Sequence, residues 1–145
     1  MKSLGLYLHI PYCLHKCGYC DFNSHPDNQE ESEIYVSALL SEIEYYSQKL
    51  AGKIVPTVFF GGGTPTILPP ASLAKILSRV KNRFNLTEDC EISIEANPAT
   101  IERETLQQIC ASGFNRISIG VQSFDPDELK LLERVHNEEQ IHTTV

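Results

Sequence analysis

The chain alternates between short apolar runs and longer stretches in which apolar residues return every three or four positions. Residues 4–10 mix apolar and β-forming side chains and end at Pro11, which cannot donate to a ladder, so the pattern predicts a strand whose carboxyl end feeds residues 13–20. Between residues 30 and 50, Val36, Leu39, Leu40, Ile43, Tyr46 and Leu50 recur at helical spacing, with acids near the start and Gly52 just past the end. That predicts an amphipathic crossover helix, with Tyr45 and Tyr46 as packing residues. Residues 55–60 read as a second strand that stops at Gly61-Gly62-Gly63-Thr64-Pro65. Pro69-Pro70 then opens a second helix running to about Phe84, its buried stripe formed by Leu73, Ile76, Leu77 and Val80.

Residues 90–95 give a third strand whose alternation is interrupted by Glu95, just before the break at Asn97-Pro98. Thr100 is placed to cap a third helix through Cys110, with Leu106, Ile109 and Cys110 on its apolar side and Gly113 ending it. Residues 116–121 form a fourth strand leading into Gln122-Ser123. Asp125-Pro126-Asp127-Glu128 supplies an N-cap, a proline at the first helical position and a capping-box acid for a fourth helix, ahead of Leu129, Leu131 and Leu132. Arg134, His136 and Asn137 fall at or beyond its end.

Strand followed by helix, four times over, demands an α/β architecture with a parallel sheet, right-handed crossovers and helices on the outer face. In such sheets ligands gather at the carboxyl ends of the strands. The cysteine-rich stretch, the glycine run, Glu95 and Gln122 each follow a different strand at that edge. The opposite consequence concerns stability. Four strands that do not close leave two exposed edges and an inner face expected to be rich in Leu, Ile, Val and Phe, which predicts marginal stability or self-association.

Composition narrows the classes of function. At 145 residues the chain is long enough for one domain with a real core. A net charge of -7 without a long basic run lacks the electrostatic footprint of a nucleic-acid or anionic-membrane binder. Residues 2–10 are too short and polar for a secretory core or a membrane span. Five cysteines, an odd number, fit a reducing, cytoplasmic setting better than a disulfide framework.

The candidate chemistry starts with Cys13, Cys17 and Cys20, at CxxxCxxC spacing. Thiolates this close in sequence can turn toward one centre, with Gly18 giving the backbone slack to do so. Structural iron-sulfur and zinc sites are normally closed by four protein ligands, so three leave a position open for another molecule. A zinc site completed by His9, His15, His25, Cys90 or Cys110 is the plainer alternative. Cys110 reads as a small core residue, and Cys90 lies at the far end of its strand. The three glycines let backbone approach a ligand closely or make a tight turn; without GxxxxGK[ST] or GxGxxG they are not a nucleotide loop. Glu95 either projects over the top of the sheet or caps a loop as an exposed acid.

Taken together, Cys13-xxx-Cys17-xx-Cys20, Gly61-Gly62-Gly63-Thr64-Pro65, Glu95 and Gln122 within Gly-Val-Gln-Ser resemble the radical S-adenosylmethionine enzymes. The phrase Leu-Tyr-Leu-His-Ile-Pro-Tyr-Cys resembles the coproporphyrinogen oxidase and heme chaperone branch. The resemblance implies a 4Fe-4S cluster on the three cysteines, with S-adenosylmethionine chelating the open iron and being cleaved reductively to a 5'-deoxyadenosyl radical. It implies that Tyr7 and Tyr19 flank the adenosyl part, that Gly62, Gly63 and Thr64 receive the methionine amine, and that Glu95, Gln122 and Arg134 complete the cradle. Carbonyls for an ammonium, Glu and Gln for ribose hydroxyls and Arg for a carboxylate are the matching chemistries. An electron donor such as flavodoxin or ferredoxin is implied as a partner, and so is a tetrapyrrole, heme or coproporphyrinogen.

Two departures from the family pattern shape the expectation. Oxidase members place a further cysteine two positions after the third ligand, where this chain has Phe22, which favours heme binding and delivery over oxidative decarboxylation of coproporphyrinogen III. A full barrel takes about 200 residues or more. Residues 1–145 are therefore expected to form a partial (β/α) barrel, the N-terminal part of a radical SAM core, without the rest of the barrel or a C-terminal domain.

Overall fold

The computed structural model describes residues 3–144. Four strands, β1 (Ser3–Ile10), β4 (Ile54–Gly62), β5 (Asn85–Ala96) and β6 (Arg116–Ile119), form one parallel sheet in sequence order, leaving β1 and β6 as its edges. Between them run α1 (Gln29–Lys49), α2 (Pro70–Arg83) and α3 (Arg103–Ser112). Two-residue strands, β2 (Tyr12–Cys13) and β3 (His25–Pro26), pair separately, and α4 (Pro126–Leu131) and α5 (Glu138–Thr144) follow the sheet. The repeated β/α units are those the periodicity predicts.

Register sorts the side chains into two faces. Leu6, Val58 and Ile92 share a row, as do Leu8, Phe60, Ile94 and Ile117, and these point to the layer of helices. There they meet Val36, Leu39, Leu40 and Ile43 of α1, the stripe Leu73, Ile76, Leu77 and Val80 of α2, and Ile109 of α3 in one core. Phe60 is fully buried and meets Phe114 edge-on at 4.9 Å.

The opposite face corrects an expectation. The rows between carry Gly5 and Thr57 with Glu91, Tyr7 and Phe59 with Ser93 and Arg116, and His9 and Gly61 on β1 and β4, with Glu95 and Ser118 paired on β5 and β6. Only Tyr7 and Phe59, stacked at 6.0 Å, are large and apolar here. Ser93, 1% exposed, donates to Glu91 Oε1 at 2.8 Å, and Arg116 pairs with the same carboxylate at 3.5 Å. The inner face is thus polar rather than rich in Leu, Ile, Val and Phe, because the strands alternate strictly with period two. That removes the physical basis for self-association through this face; the edges remain.

Several local readings also change. The second strand continues to Gly62, and the third begins at Asn85, with an irregularity in its pairing below Glu91. Thr100 does not cap α3. It closes a capping box with Asn97 around the 3-10 turn Pro98–Thr100, and Glu102 begins α3 without a side-chain cap. Asp125 caps α4 as expected, accepting from the Asp127 and Glu128 amides, but Glu128 does not return to the Asp125 amide. Ser123 intervenes, accepting from Asp125 and donating to Glu128. Cys110 and Leu131 are exposed, since single short helices over an open sheet bury only a narrow stripe. Tyr45 and Tyr46 are about half exposed, packed on each other with Lys49 over Tyr45.

Candidate functional site: a cleft at the carboxyl edge of the sheet

Past Pro11 the chain makes the bridge between β2 and β3, with Tyr12 opposite His25 and Cys13 opposite Pro26. The Asp27 amide donates to Cys13 O at 2.8 Å, and the bridge closes residues 14–24 into a loop. Inside it the Cys20 amide donates to Cys17 O at 3.0 Å, and Lys16 Nζ to Phe22 O at 3.1 Å. His9 holds the returning limb. Its Nε2 lies 2.9 Å from Asn23 O, which can only accept, so Nε2 carries the proton and the Tyr7 hydroxyl donates to Nδ1 at 3.0 Å.

All five cysteines are free thiols. Cys13 and Cys20 are half-buried and Cys17 is buried, and all three line one cleft of about 600 Å³. Cys90, which burial and then Asp89 and Glu91 push up in pKa, and the exposed Cys110 are not among the lining residues. Among the described residues no three His, Cys, Asp or Glu side chains converge on a single metal ion.

The glycine run forms the second wall. Gly62 has φ +118°, a left-handed conformation, and its amide donates to Glu95 Oε2 at 3.2 Å. A Cβ on Gly63 would lie 2.9 Å from Cys13 Sγ and 2.5 Å from Tyr12 O. The glycines therefore let the end of β4 close on the cysteine loop. The Gly63 amide donates to Ile10 O at 2.8 Å and the Thr64 amide to Tyr12 O at 2.7 Å. With these donors committed, backbone carbonyls are what this wall can offer a ligand. The Thr64 hydroxyl donates to Cys13 Sγ at 3.7 Å.

The third wall comes from β6 onward. Gln122 lines the cleft from a left-handed backbone, φ +69°. Arg134 spans the gap: Nη2 donates to Gly120 O at 2.8 Å, while Nη1 reaches Tyr19 Oη at 3.4 Å and Cys17 Sγ at 3.6 Å. Its Nε is buried without a partner. Tyr19, Gly62, Gly63, Thr64, Glu95, Gln122 and Arg134 all line the cleft, whereas Tyr7 stands one row below on the inner face, against Phe59. Burial and the Glu95 carboxylate hold the Tyr7 phenol above its usual pKa.

Three residues go unrecognised in the sequence reading. Asn97 lines the cleft, and its Oδ1 lies 3.2 Å from His136 Nδ1. His136 is 4% exposed, and its Nε2 lies 2.9 Å from Val121 O. Burial lowers its pKa, the Val121 carbonyl pulls it up and the Arg134 guanidinium pushes it down; burial prevails. Glu133 accepts from the Gly18 amide at 2.9 Å. No local signal marks these residues, whose partners lie between 15 and 115 positions away.

A parallel β/α sheet thus gathers free thiols, a carbonyl wall, a carboxylate and a guanidinium in one cleft at its carboxyl edge. The family model described as the Radical SAM superfamily matches residues 7–145, and the chain belongs to that superfamily. Membership implies S-adenosylmethionine and a 4Fe-4S cluster as cofactors. The heme chaperone HemW of Escherichia coli (strain K12) is 44% identical over 141 residues, which cover 97% of this chain and 37% of that protein. The oxygen-independent coproporphyrinogen III oxidase of the same organism is 38% identical over 141 residues, covering 97% of this chain and 31% of the oxidase. A solved structure of the Escherichia coli coproporphyrinogen III oxidase (HemN), described as a radical SAM enzyme, superposes with a TM-score of 0.90 at 38% identity, covering 97% of this chain and 32% of that one. The chain spans less than two-fifths of the length of each of these proteins.

Proposed function

We propose that this chain is the cofactor-binding part of a heme-chaperone-type radical SAM protein, with Cys13, Cys17 and Cys20 holding a 4Fe-4S cluster and S-adenosylmethionine lying in the cleft beside it. The observation that carries the reading is the convergence of three free thiols, the Gly62–Thr64 wall, Glu95, Gln122 and Arg134 on one cleft, from four different β/α units. The thiols supply soft ligands for iron, and Thr64 and Arg134 direct donors at two of them. Carbonyls of the glycine wall suit the methionine ammonium. The Arg134 guanidinium, with its unpartnered Nε, suits the carboxylate, and Glu95 and Gln122 suit ribose hydroxyls. When bound, the cluster and S-adenosylmethionine together supply one-electron cleavage of the sulfonium.

Phe22, 61% exposed on the cleft wall, stands where the oxidase pattern carries a further cysteine, and this favours heme binding and delivery. Oxidative decarboxylation of coproporphyrinogen III is the second reading, favoured by the close superposition on the solved oxidase. Among the described residues no helix is long and apolar enough to cross a membrane. A reducing, cytoplasmic setting and a one-electron donor such as flavodoxin or ferredoxin belong to the same proposal.

The test is electron paramagnetic resonance of the anaerobically reconstituted, reduced chain with and without S-adenosylmethionine. A cluster signal that shifts on addition is expected. A signal indifferent to it, or no cluster, overturns the reading for this chain. Heme binding and turnover of coproporphyrinogen III then separate the chaperone from the oxidase.

A further inference from the structure

Helix α4 ends in a Schellman turn. The Glu133 amide donates to Lys130 O at 3.0 Å and the Arg134 amide to Leu129 O at 2.9 Å, with Glu133 at φ +53°. That left-handed position favours glycine or asparagine, and any longer side chain there is strained. The side chain is nevertheless used. Its Oε2 accepts from the Gly18 amide at 2.9 Å and lies 3.6 Å from His15 Nε2. Gly18 in turn is bare where the carboxylate arrives, since a Cβ there would sit 3.0 to 3.2 Å from the Glu133 carboxyl atoms. The next residue, Arg134, reaches Cys17 Sγ. One strained helix end thus sends two consecutive side chains to two consecutive residues of the cysteine loop.

We infer that Glu133 is a positioning residue for the cysteine loop, tethering the Gly18 amide so that Cys17 and Cys20 are held ready to take the cluster. The inference rests on the proposed role of the three cysteines. A strained position is retained when the surroundings use it, and here that use is a contact with a loop 115 residues away in sequence. The tether is local and partly exposed, so its effect is on the order of the loop rather than on the stability of the fold.

Replacing the residue by glycine relieves the backbone and removes the carboxylate, so fold and site are expected to move in opposite directions. In the metal-free chain, Glu133→Gly should leave the thermal midpoint unchanged or higher while the Gly18 amide exchanges with solvent on the order of tenfold faster. Glu133→Gln keeps an acceptor oxygen and should restore slow exchange. In the reconstituted chain, Glu133→Gly should lose its cluster to a chelator several-fold faster than wild type, and Glu133→Gln should not. Wild-type exchange at Gly18 in Glu133→Gly, or altered exchange without faster cluster loss, overturns the inference. A wild-type chain that takes up no cluster refutes the proposed role of the cysteines instead, while the exchange comparison still decides whether the tether exists.

Discussion

Arg134 is the side chain on which the two halves of the cleft depend, and replacing it with lysine probes geometry without removing charge. The guanidinium holds Gly120 O at 2.8 Å with one nitrogen while the other faces Cys17 Sγ and Tyr19 Oη at 3.6 and 3.4 Å. An ammonium carries its donors on a single atom and cannot span both sides. Hydrogen bonds to charged groups contribute about 1.5 to 3 kcal/mol each. Arg134 is half-buried and only the Gly120 contact is short, so the stability loss expected for Arg134→Lys is about 1 kcal/mol, a fall of roughly 3 to 6 °C in thermal midpoint for a chain of this size. Binding should suffer more. If Arg134 holds the carboxylate as proposed, exchanging its planar fork for a single ammonium is expected to cost about 1.4 to 2.8 kcal/mol, ten- to a hundredfold in the dissociation constant of S-adenosylmethionine. The assay is a titration of S-adenosylmethionine into anaerobically reconstituted protein, followed by the change in the cluster's paramagnetic resonance, alongside urea unfolding by circular dichroism and tyrosine fluorescence, since the chain has no tryptophan. Affinity within a factor of two of wild type in Arg134→Lys would refute the assigned role.

Two further outcomes are expected. Because burial lowers the His136 pKa below its ordinary 6.5, the unfolded chain binds the proton more readily, so this residue's contribution to stability is complete above about pH 6.5 and is lost as pH falls through the folded value. The thermal midpoint of wild type should therefore drop more steeply between pH 7.5 and 5 than that of His136→Gln; parallel profiles would contradict this. Under native conditions a maleimide should modify exposed Cys110 first and buried Cys90 last, the latter about tenfold or more slower because burial both shields its thiol and raises its pKa. Mass spectrometry of timed aliquots gives the order, and early labelling of Cys90 would sink the account.

The β/α repeat was legible because strands and helices carry different local patterns: the stripe of α2 and the short apolar, β-forming run of β1, cut off by Pro11, are each set by neighbours in sequence. The cleft was legible in outline, since topology alone brings the ends of parallel strands to one edge. The failures share one cause. Cys110, Tyr46 and Leu131 sit at apolar positions of their helices yet remain exposed, because a helix buries only what a neighbour covers, and the sequence does not name the neighbour. The inner face was misjudged for the complementary reason. The apolar content of a whole strand does not say which way it faces, and the register sends it to the helices while Tyr7, His9, Ser93 and Glu95 face the other way.

By itself, then, the sequence determined the four strand-helix units, the CxxxCxxC loop, the glycine run and the edge at which they meet, all of which depend on spacing along the chain. Tertiary structure alone decided that the glycines press on Cys13 and His9, that Tyr7 lies below the cleft rather than in it, that His136 is buried against Asn97 and Val121, and that Glu133 grips Gly18. These are contacts between residues far apart in the chain. Their strength comes from distances that only the packed fold sets, and no local pattern encodes a distance.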